Sequence, residues 1–376
     1  MSGARRCIAT TERVTILGAG IGGLAAAIAC GRTARDVTVI EQAPALTEVG
    51  AGVQIAPNGM RVLRDLRVDV PGLANTAVKI CDGLTGRSLV RMPLGPDFLL
   101  VHRADLIDAL AAALPAARVR LRLGQVVAGL APGQVTLASG AHLDAPRIIG
   151  ADGARGPSRR HVAAHHEARF TGQVAWRAIV RVRDWPHEAQ VHTAPGRHIV
   201  CYPLRDGTYL NIVAVQERES WSDASWSQRD DPANLRAAFA DFAPAMQREL
   251  AKVEAVNLWG LMDHGVTPEW HRVGCTLIGD AAHPTLPFLA QGANLALEDA
   301  WLVARHLDTP ERFVAARKPR VTRALAAAAA NARSYHLAGV PRRGAHLALR
   351  LAGLTLPSLL LRKYDWLYGY DVTQAP

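Results

Sequence analysis

A glycine-rich hexad near the start of the chain has the residue types and spacing of a phosphate-binding turn. Gly18 and Gly20 follow a short apolar run, Val14–Leu17, and Gly23 lies near the start of an alanine-rich stretch that begins at Ile21. The first glycine permits a tight turn, the second lets the backbone approach a pyrophosphate, and the third allows a helix to pack closely on a strand. Free N–H groups at the helix N-terminus attract negative charge. The hexad therefore predicts a dinucleotide-binding turn.

An acidic residue in the expected place strengthens this prediction. Glu41 follows a second apolar run, Val37–Ile40, and lies 23 residues after Gly18. Its carboxylate can hydrogen-bond the 2′-hydroxyl of a ribose and would repel a 2′-phosphate. The alternative is a glycine turn that binds nothing. These residues alone do not distinguish FAD from NAD.

A second group of residues, about 260 positions further on, does distinguish them. Asp280 follows an apolar strand pattern, where its carboxylate could hold a polyol hydroxyl. Gly292, Ala293 and Asn294 open a helix pattern, and their N–H groups could face the pyrimidine edge of a flavin, where negative charge develops on reduction. A dehydrogenase that binds only NAD has no need of this second element, so the pattern favours FAD.

Four residues are candidates for the reaction itself: His283, Pro284, Tyr202 and Arg177. His283 could deprotonate a phenol or gate a substrate, or it could simply pack the loop. Pro284 would stiffen that loop. Trp176, Arg177 and Tyr202 lie in strand patterns that we expect to face the flavin. Arg177 could pair with a substrate carboxylate or could be an ordinary solvated arginine.

Taken in order, these motifs resemble those of the group A flavoprotein monooxygenases, and within them the salicylate hydroxylase-like branch. The resemblance covers nearly the whole chain. Three further segments carry it: a second fingerprint tied to FAD and NAD(P)H, a segment whose arginine contacts FAD, and a flavin-side loop. The second fingerprint is 150–153, which contains Asp152 and is followed six residues later by Arg159. The segment with the FAD-contacting arginine is 102–106, which contains Arg103, and the flavin-side loop is 50–58, which contains Gln54.

The resemblance implies a reaction. NAD(P)H reduces bound FAD, O₂ then forms a flavin C4a-hydroperoxide, and its distal oxygen hydroxylates a small aromatic substrate of the hydroxybenzoate or salicylate type in a pocket that excludes water. Two alternatives stay open: an FAD-dependent dehydrogenase or oxidase, and a flavin-binding protein without catalysis.

Two positions depart from the family pattern. Gly156 stands where the second fingerprint usually has serine. Cys201 precedes Tyr202, in a part of the middle sheet where some members use a polar residue, often histidine, so the sequence names no catalytic base.

The patterns around these motifs predict an α/β fold. A strand, glycine turn, helix and strand within about thirty residues form a βαβ unit, which requires a parallel sheet. We expect an FAD-binding lobe built from residues 1–168 and 272–310 and a smaller antiparallel-sheet substrate lobe at 169–271. A C-terminal helical segment should occupy 311–376.

Composition excludes several other classes of protein. The five cysteines are odd in number and form no CxxC pair, and the histidines show no metal-ligand spacing. This argues against a disulfide framework or a metal site and favours a reducing, cytoplasmic compartment.

The net charge of +10 belongs to the C-terminal segment, since 312–363 holds eleven Arg/Lys and no Asp/Glu. No nucleic-acid motif accompanies this charge, so we expect no nucleic-acid partner. The apolar stretch 347–361 contains Arg350 and Pro357 and is too short to span a membrane. The expected partners are a small aromatic substrate and O₂, with a homodimer as one option for assembly.

Overall fold

The structure, a computed structural model, describes residues 12–46, 52–163, 168–221, 227–355 and 357–375. Its strands in chain order are Arg13–Leu17 (β1), Asp36–Ile40 (β2), Gly52–Ile55 (β3), Leu73–Ala74 (β4), Ala77–Asp82 (β5), Ser88–Pro93 (β6), Leu99–His102 (β7), Val119–Arg122 (β8), Val127–Ala131 (β9), Gln134–Leu137 (β10), His142–Asp144 (β11), Ile148–Gly150 (β12), Arg169–Arg181 (β13), Ala189–Ala194 (β14), Arg197–Leu204 (β15), Tyr209–Glu217 (β16), Ser227–Asp230 (β17), Val256–Asp263 (β18), His271–Arg272 (β19) and Cys275–Leu277 (β20).

The helices alternate with these strands in the first lobe and dominate the end of the chain. They are Ile21–Arg32 (α1), Pro57–Asp65 (α2), Arg103–Ala112 (α3), Pro157–Val162 (α4), Pro232–Ala238 (α5), Pro244–Ala251 (α6), Gly292–Val303 (α7), Pro310–Tyr335 (α8), Gly339–Thr355 (α9), Leu359–Arg362 (α10) and Asp365–Tyr368 (α11). Short 3₁₀ turns occur at Gly279–Ala281, Pro287–Leu289 and Val372–Gln374.

The sheet predicted from the glycine hexad is present. Its strand order is β19-β20-β12-β1-β2-β8, and every neighbouring pair is parallel except β19–β20. The segment β1–α1–β2 forms the predicted βαβ unit, and β20 returns the chain to this sheet. Helix α1 is almost entirely buried, because a parallel sheet is covered on its faces by helices.

The second sheet is larger than the sequence predicts. Its order is β17-β18-β13-β16-β15-β14-β5-β6, and its pairs are antiparallel except β14–β5, which is parallel. Strands β5 and β6 come from residues 77–93, a range that the sequence analysis placed in the FAD-binding lobe. The predicted antiparallel sheet is present in 169–271, and β5 and β6 extend it beyond that range, because hydrophobic periodicity identifies a strand but not the sheet that it joins.

The C-terminal helices are held to the first lobe by buried charges. Arg317 of α8 is fully buried and donates to Glu298 and Asp299 of α7, while Arg320 binds Glu298. Burial alone would raise the pKa of Asp299, but His283 and Arg317 beside it lower that pKa to about 2. None of the helices in the described part of the chain combines the length and apolarity that crossing a membrane requires.

Candidate active site

A cavity of about 310 Å³ lies where the two large sheets face each other. It is bounded by the glycine turn, by the end of β20 and by the start of α7 on one side, and by the middle strands of the second sheet on the other. Its walls include most residues that the sequence analysis selected: Gly20, Gln54, Arg103, Arg177, Tyr202, Asp280, Gly292 and Ala293.

The glycine turn has the geometry that its sequence predicts. Gly18 has φ +94°, a conformation that side chains rarely tolerate, and a Cβ at Gly23 would lie 1.9 Å from the carbonyl oxygen of Gly18. Gly20 precedes α1, and a Cβ built there meets nothing within 4 Å. No side chain caps this helix end. Gly18 and Gly23 are thus required by packing, whereas Gly20 leaves open space at a helix N-terminus, which suits a phosphate.

Glu41 lies beside this turn. One carboxylate oxygen accepts a hydrogen bond from the Ala19 amide at 2.7 Å, and the other accepts one from the Ala43 amide at 2.8 Å. These bonds orient the carboxylate, and its remaining lone pairs are available to a ribose hydroxyl.

Asp280 faces the cavity from the turn that follows β20. Its side chain is accessible within the cavity and accepts no hydrogen bond from the described residues. Burial raises the pKa of this carboxyl, while His283, Arg103, Arg177 and Arg159 act to lower it. A carboxylate without a protein donor in a deep cleft is suited to accept hydrogen bonds from a polyol chain.

The start of α7 provides the other predicted contact, through its backbone alone. Gly292 and Ala293 line the cavity, and no side chain caps the helix. The Asn294 side chain, by contrast, is buried. It accepts from the Ala56 amide at 2.9 Å and donates to the carbonyl oxygens of Gln54 and Ala290 at 3.0 and 2.9 Å. Asn294 therefore fixes β3 against α7 and positions Gln54.

Together these residues fit FAD. The turn before α1 suits the diphosphate, Glu41 the ribose, Asp280 the ribityl chain, and the start of α7 the pyrimidine edge. Arg103, at the first position of α3, also lines the cavity. Gly50 and Ala51 of the predicted flavin-side loop lie outside the described residues.

The Asp152 carboxylate is held by Ser158. It accepts hydrogen bonds from the Ser158 amide, at 2.9 Å, and from the Ser158 hydroxyl, and it does not line the cavity. A Cβ at Gly156 would lie 2.0 Å from the Asp152 carboxyl carbon. The hydroxyl missing at position 156 is thus supplied by Ser158, and serine would not fit at 156 in this conformation.

Arg177 and Tyr202 project from neighbouring parts of the second sheet into the same cavity. Burial lowers the pKa of the Arg177 guanidinium, and burial raises the pKa of the Tyr202 hydroxyl. The Tyr202 ring packs against Gly52, where a Cβ would lie 2.5 Å from the ring. These two residues contribute polar groups to the wall opposite the predicted flavin site.

Trp176 does not face the flavin side, contrary to the expectation from its sequence. Its ring is buried on the opposite face of β13, its indole N–H donates to Asp230 at 2.6 Å, and it packs edge-on against Phe239. The expectation is wrong because successive side chains of a strand point to opposite faces, so Trp176 and Arg177 cannot share one.

His283 and Pro284 line neither this cavity nor the one described below. The His283 side chain is fully buried, with Nε2 2.5 Å from Asp299 Oδ2 and its ring 5.2 Å from that of Trp270. This position agrees with the packing alternative and does not support direct contact with a substrate. The loop reaches the cavity instead through Thr285, Pro287, Phe288 and Ala290.

A residue that the sequence analysis missed, His198, lines the cavity. Its Nδ1 lies 2.7 Å from His336 Nε2, and His336 Nδ1 lies 2.8 Å from Glu217 Oε1. Glu217 is 56% exposed, so this chain of hydrogen bonds leads from a buried residue of the cavity wall to solvent. The sequence contains a pattern that could have identified His198. Residues 198, 200 and 202 of β15 share a face at a period of two, whereas Cys201 points away.

Burial also defines the charge state of this histidine. Because the ring is enclosed and His336 lies beside it, the pKa of His198 falls well below its ordinary value. His198 is therefore neutral at neutral pH, and its Nε2 has no partner among the described residues. A neutral imidazole with one unused ring nitrogen can accept a proton.

A second cavity of about 550 Å³ adjoins the first. Both are lined by Gln54, Val200, Pro287, Phe288 and Ala290. The second cavity extends from this junction between β5, β14 and the C-terminal helices, and its walls are mainly apolar. It provides room for a substrate beside the predicted flavin site.

Two family models match the chain. One, described as an FAD binding domain, matches residues 124–318, and the other, described as an NAD(P)-binding Rossmann-like domain, matches residues 16–67. The first match covers more than half of the chain.

Similar proteins include relatives named as aromatic hydroxylases and proteins with solved structures. A 3-amino-4-hydroxybenzoate 2-monooxygenase of Streptomyces platensis is 30% identical, with 96% of each chain covered. A 3-hydroxybenzoate 6-hydroxylase of Aquipseudomonas alcaligenes is also 30% identical, with 96% of this chain and 99% of the relative covered. The fold matches a salicylate hydroxylase substrate complex with a TM-score of 0.79 at 24% identity, over 96% of both chains.

Proposed function

The chain belongs to the group A FAD-dependent aromatic monooxygenases, and we propose that its substrate is a ring whose hydroxyl or amino group faces His198. Bound FAD supplies the oxygenating chemistry, taking its electrons from NAD(P)H. One atom of O₂ enters the ring and the other leaves as water. The chain's own residues orient the ring, exclude water and move the proton of the ring substituent.

The observation that carries this proposal is the hydrogen-bond chain from His198 through His336 to Glu217. A ring is attacked more readily when its hydroxyl loses a proton, because the oxygen then donates more electron density. His198 accepts that proton at Nε2 while its Nδ1–H donates to His336 Nε2. His336 Nδ1–H in turn donates to Glu217, so positive charge need not accumulate in the cavity.

The substituents of the ring follow from the other wall residues and from similarity. The two relatives above act, by their names, on benzoates that carry hydroxyl or amino groups. Arg177 in the wall is suited to an anionic or strongly accepting group near the ring. Tyr202 and Pro287 bound the same space and reduce its access to water.

The test is a panel of hydroxy- and amino-substituted aromatic compounds with the purified, FAD-loaded protein. We expect at least one to accelerate reduction of the flavin by NADH or NADPH and to gain one oxygen atom, or to lose a carboxyl group as it gains oxygen. Oxygen uptake with catalase present and product mass are the readouts. NAD(P)H oxidation that is indifferent to every aromatic, with all O₂ recovered as peroxide without catalase, would contradict the proposal.

A variant pair tests the role of His198. His198→Asn should lower the rate of hydroxylation at neutral pH by roughly 10²–10⁴-fold. Raising the pH toward the pKa of the free phenol should restore part of this rate, because the substrate then arrives ionised. His192→Asn is the matched control, since His192 is another buried histidine of this sheet that lines neither cavity. An equal loss in both variants would refute the assignment.

We further propose a homodimer that works in the cytoplasm. Leu347, Leu351 and Leu354 are exposed at helical spacing on α9, which suits a contact between two copies. The described cysteines, 30, 81, 201 and 275, are all unpaired and buried, as suits a reducing compartment. Sedimentation velocity tests the dimer: a species of one chain's mass at micromolar concentration would exclude it.

A further inference from the structure

We propose that the ring substrate carries a large apolar substituent, such as an alkyl chain or a second ring system, which binds in the second cavity. This inference rests on the proposed function, because it assumes that the reacting ring lies beside His198. It holds that the second cavity determines which class of aromatic compound the enzyme accepts.

The size of the second cavity is the first argument. Its volume of about 550 Å³ lies well inside the range of roughly 300–1,000 Å³ that accommodates drug-sized ligands. A single-ring acid placed at the junction with the first cavity would leave most of this space empty. Empty apolar space loses packing contacts, so a substrate that fills it binds more tightly.

The chemistry of the walls is the second argument. The sheet contributes Val78, Ile80 and Val191, and the C-terminal segment contributes Leu337, Leu349 and Leu361. These side chains surround the space beyond the junction on both sides. Burial of apolar surface is the main favourable contribution that such walls offer to a ligand.

The charged side chains of this wall are already engaged. Arg342 donates to Asp82 at 2.6 Å, and His346 lies 3.8 Å from the other oxygen of that carboxylate. The ammonium of Lys363 lies 4.8 Å from the centre of the Tyr364 ring. Because Asp82 neutralises Arg342, this wall is a poor site for a carboxylate.

At the junction of the two cavities, one molecule can have its reacting ring in the first cavity and its apolar substituent in the second. Gln54, Val200, Pro287, Phe288 and Ala290 line both cavities, so a ligand that passes between them contacts all five. Val200 lies between His198 and Tyr202 on the same face of β15. A ring held by those two side chains can therefore extend its substituent past Val200 and Pro287 toward α9.

A series of alkyl-substituted phenols of increasing chain length tests the proposal by binding alone. The dissociation constant, measured from the change in flavin absorbance without NAD(P)H, should fall by about fourfold for each added methylene until the cavity is full, the gain expected for a buried CH₂. The preferred long-chain phenol should also accelerate flavin reduction and gain one oxygen atom.

Filling the cavity should reverse this preference. Ala345→Phe and Ala352→Phe place a ring in the wall and should weaken binding of the long-chain phenol at least tenfold, with binding of a compact phenol changed less than threefold. Ala326→Phe, the same substitution on the exposed face of α8, is the control and should change neither. Because the two cavity positions are substituted in separate variants, one of them still tests the proposal if the other misfolds.

The outcomes separate this inference from the proposed function. If compact phenols are hydroxylated and chain length changes neither affinity nor rate, the inference fails and the proposed function stands. Long-chain phenols that bind without gaining oxygen, while compact ones react, also overturn it. If no phenol of any length speeds flavin reduction or gains oxygen, the proposed function itself fails.

Discussion

Side-chain direction on β15 decides which residues can reach a substrate. His198, Val200 and Tyr202 point to the cavities, while Cys201 is buried on the other face of the sheet. The same alternation separates Arg177 from Trp176 on β13. At the scale of single residues, the site is therefore determined by strand register as much as by residue type.

The pH dependence of hydroxylation should report the His198 chain. Because burial lowers the pKa of His198, the base stays neutral down to pH values below its usual 6.5, so activity should be retained at pH 6.5 and lost only as the pH falls further.

Glu217→Gln should lower kcat while leaving the KM of the aromatic substrate unchanged, because Glu217 contacts His336 and lines neither cavity. The pH–rate profiles of both proteins provide the measurement, and a larger effect on KM than on kcat would contradict a role in proton transfer.

Asp280 should matter for the cofactor and not for folding. Asp280→Ala should weaken FAD binding by about 1–3 kcal/mol, the scale of a hydrogen bond to a charged group. The melting temperature of the FAD-free protein should not fall, because this carboxylate is accessible within the cavity and accepts no hydrogen bond from the described residues. Fluorescence titration and thermal unfolding measure the two effects, and normal FAD affinity in the variant would show that Asp280 is misassigned.

At the scale of elements, the turn between β1 and α1 and the first turn of α1 contain glycines with two different functions. Gly23→Ala should cost at least about 2 kcal/mol of stability, because its Cβ would overlap the Gly18 carbonyl oxygen at 1.9 Å. Gly20→Ala should cost less than about 1 kcal/mol, since its Cβ meets nothing within 4 Å, yet it should weaken FAD binding at least tenfold by occupying the space of a phosphate. Chemical denaturation of the FAD-free proteins and FAD titration separate the two. Equal losses of stability would contradict this division.

At the scale of the whole molecule, a buried ionic cluster joins the C-terminal segment to the cofactor lobe. Arg317→Met should destabilise the protein by about 3–5 kcal/mol, because it leaves the carboxylates of Glu298 and Asp299 buried with less compensation. Arg312→Met on the exposed side of the same helix is the control and should change stability by less than about 0.5 kcal/mol. The free energy of unfolding in urea is the measurement, and equal values for the two variants would exclude a stabilising role for the cluster.

This cluster also has a consequence for the substrate side. Helix α8 ends at Tyr335, directly before His336, and α9 and α10 form one wall of the second cavity. Anchoring α8 on α7 therefore fixes the position of the proposed proton path and of the apolar wall together.

The sequence by itself determined the cofactor side of this protein. The glycine turn, Glu41, Asp280 and the start of α7 are short segments whose proposed contacts with FAD depend on local backbone geometry, so their spacing is enough to predict those contacts. The βαβ unit and the family follow from the same motifs.

The tertiary structure decided the substrate side. His198, His336 and Glu217 are far apart in the chain and meet only because β15, β16 and the end of α8 pack together. His283 appears beside Asp280 in the sequence, yet the loop turns its ring into the core against Asp299. The second cavity depends on which sheet accepts β5 and β6 and where α9 docks. These are long-range contacts, and periodicity along the chain carries no information about them.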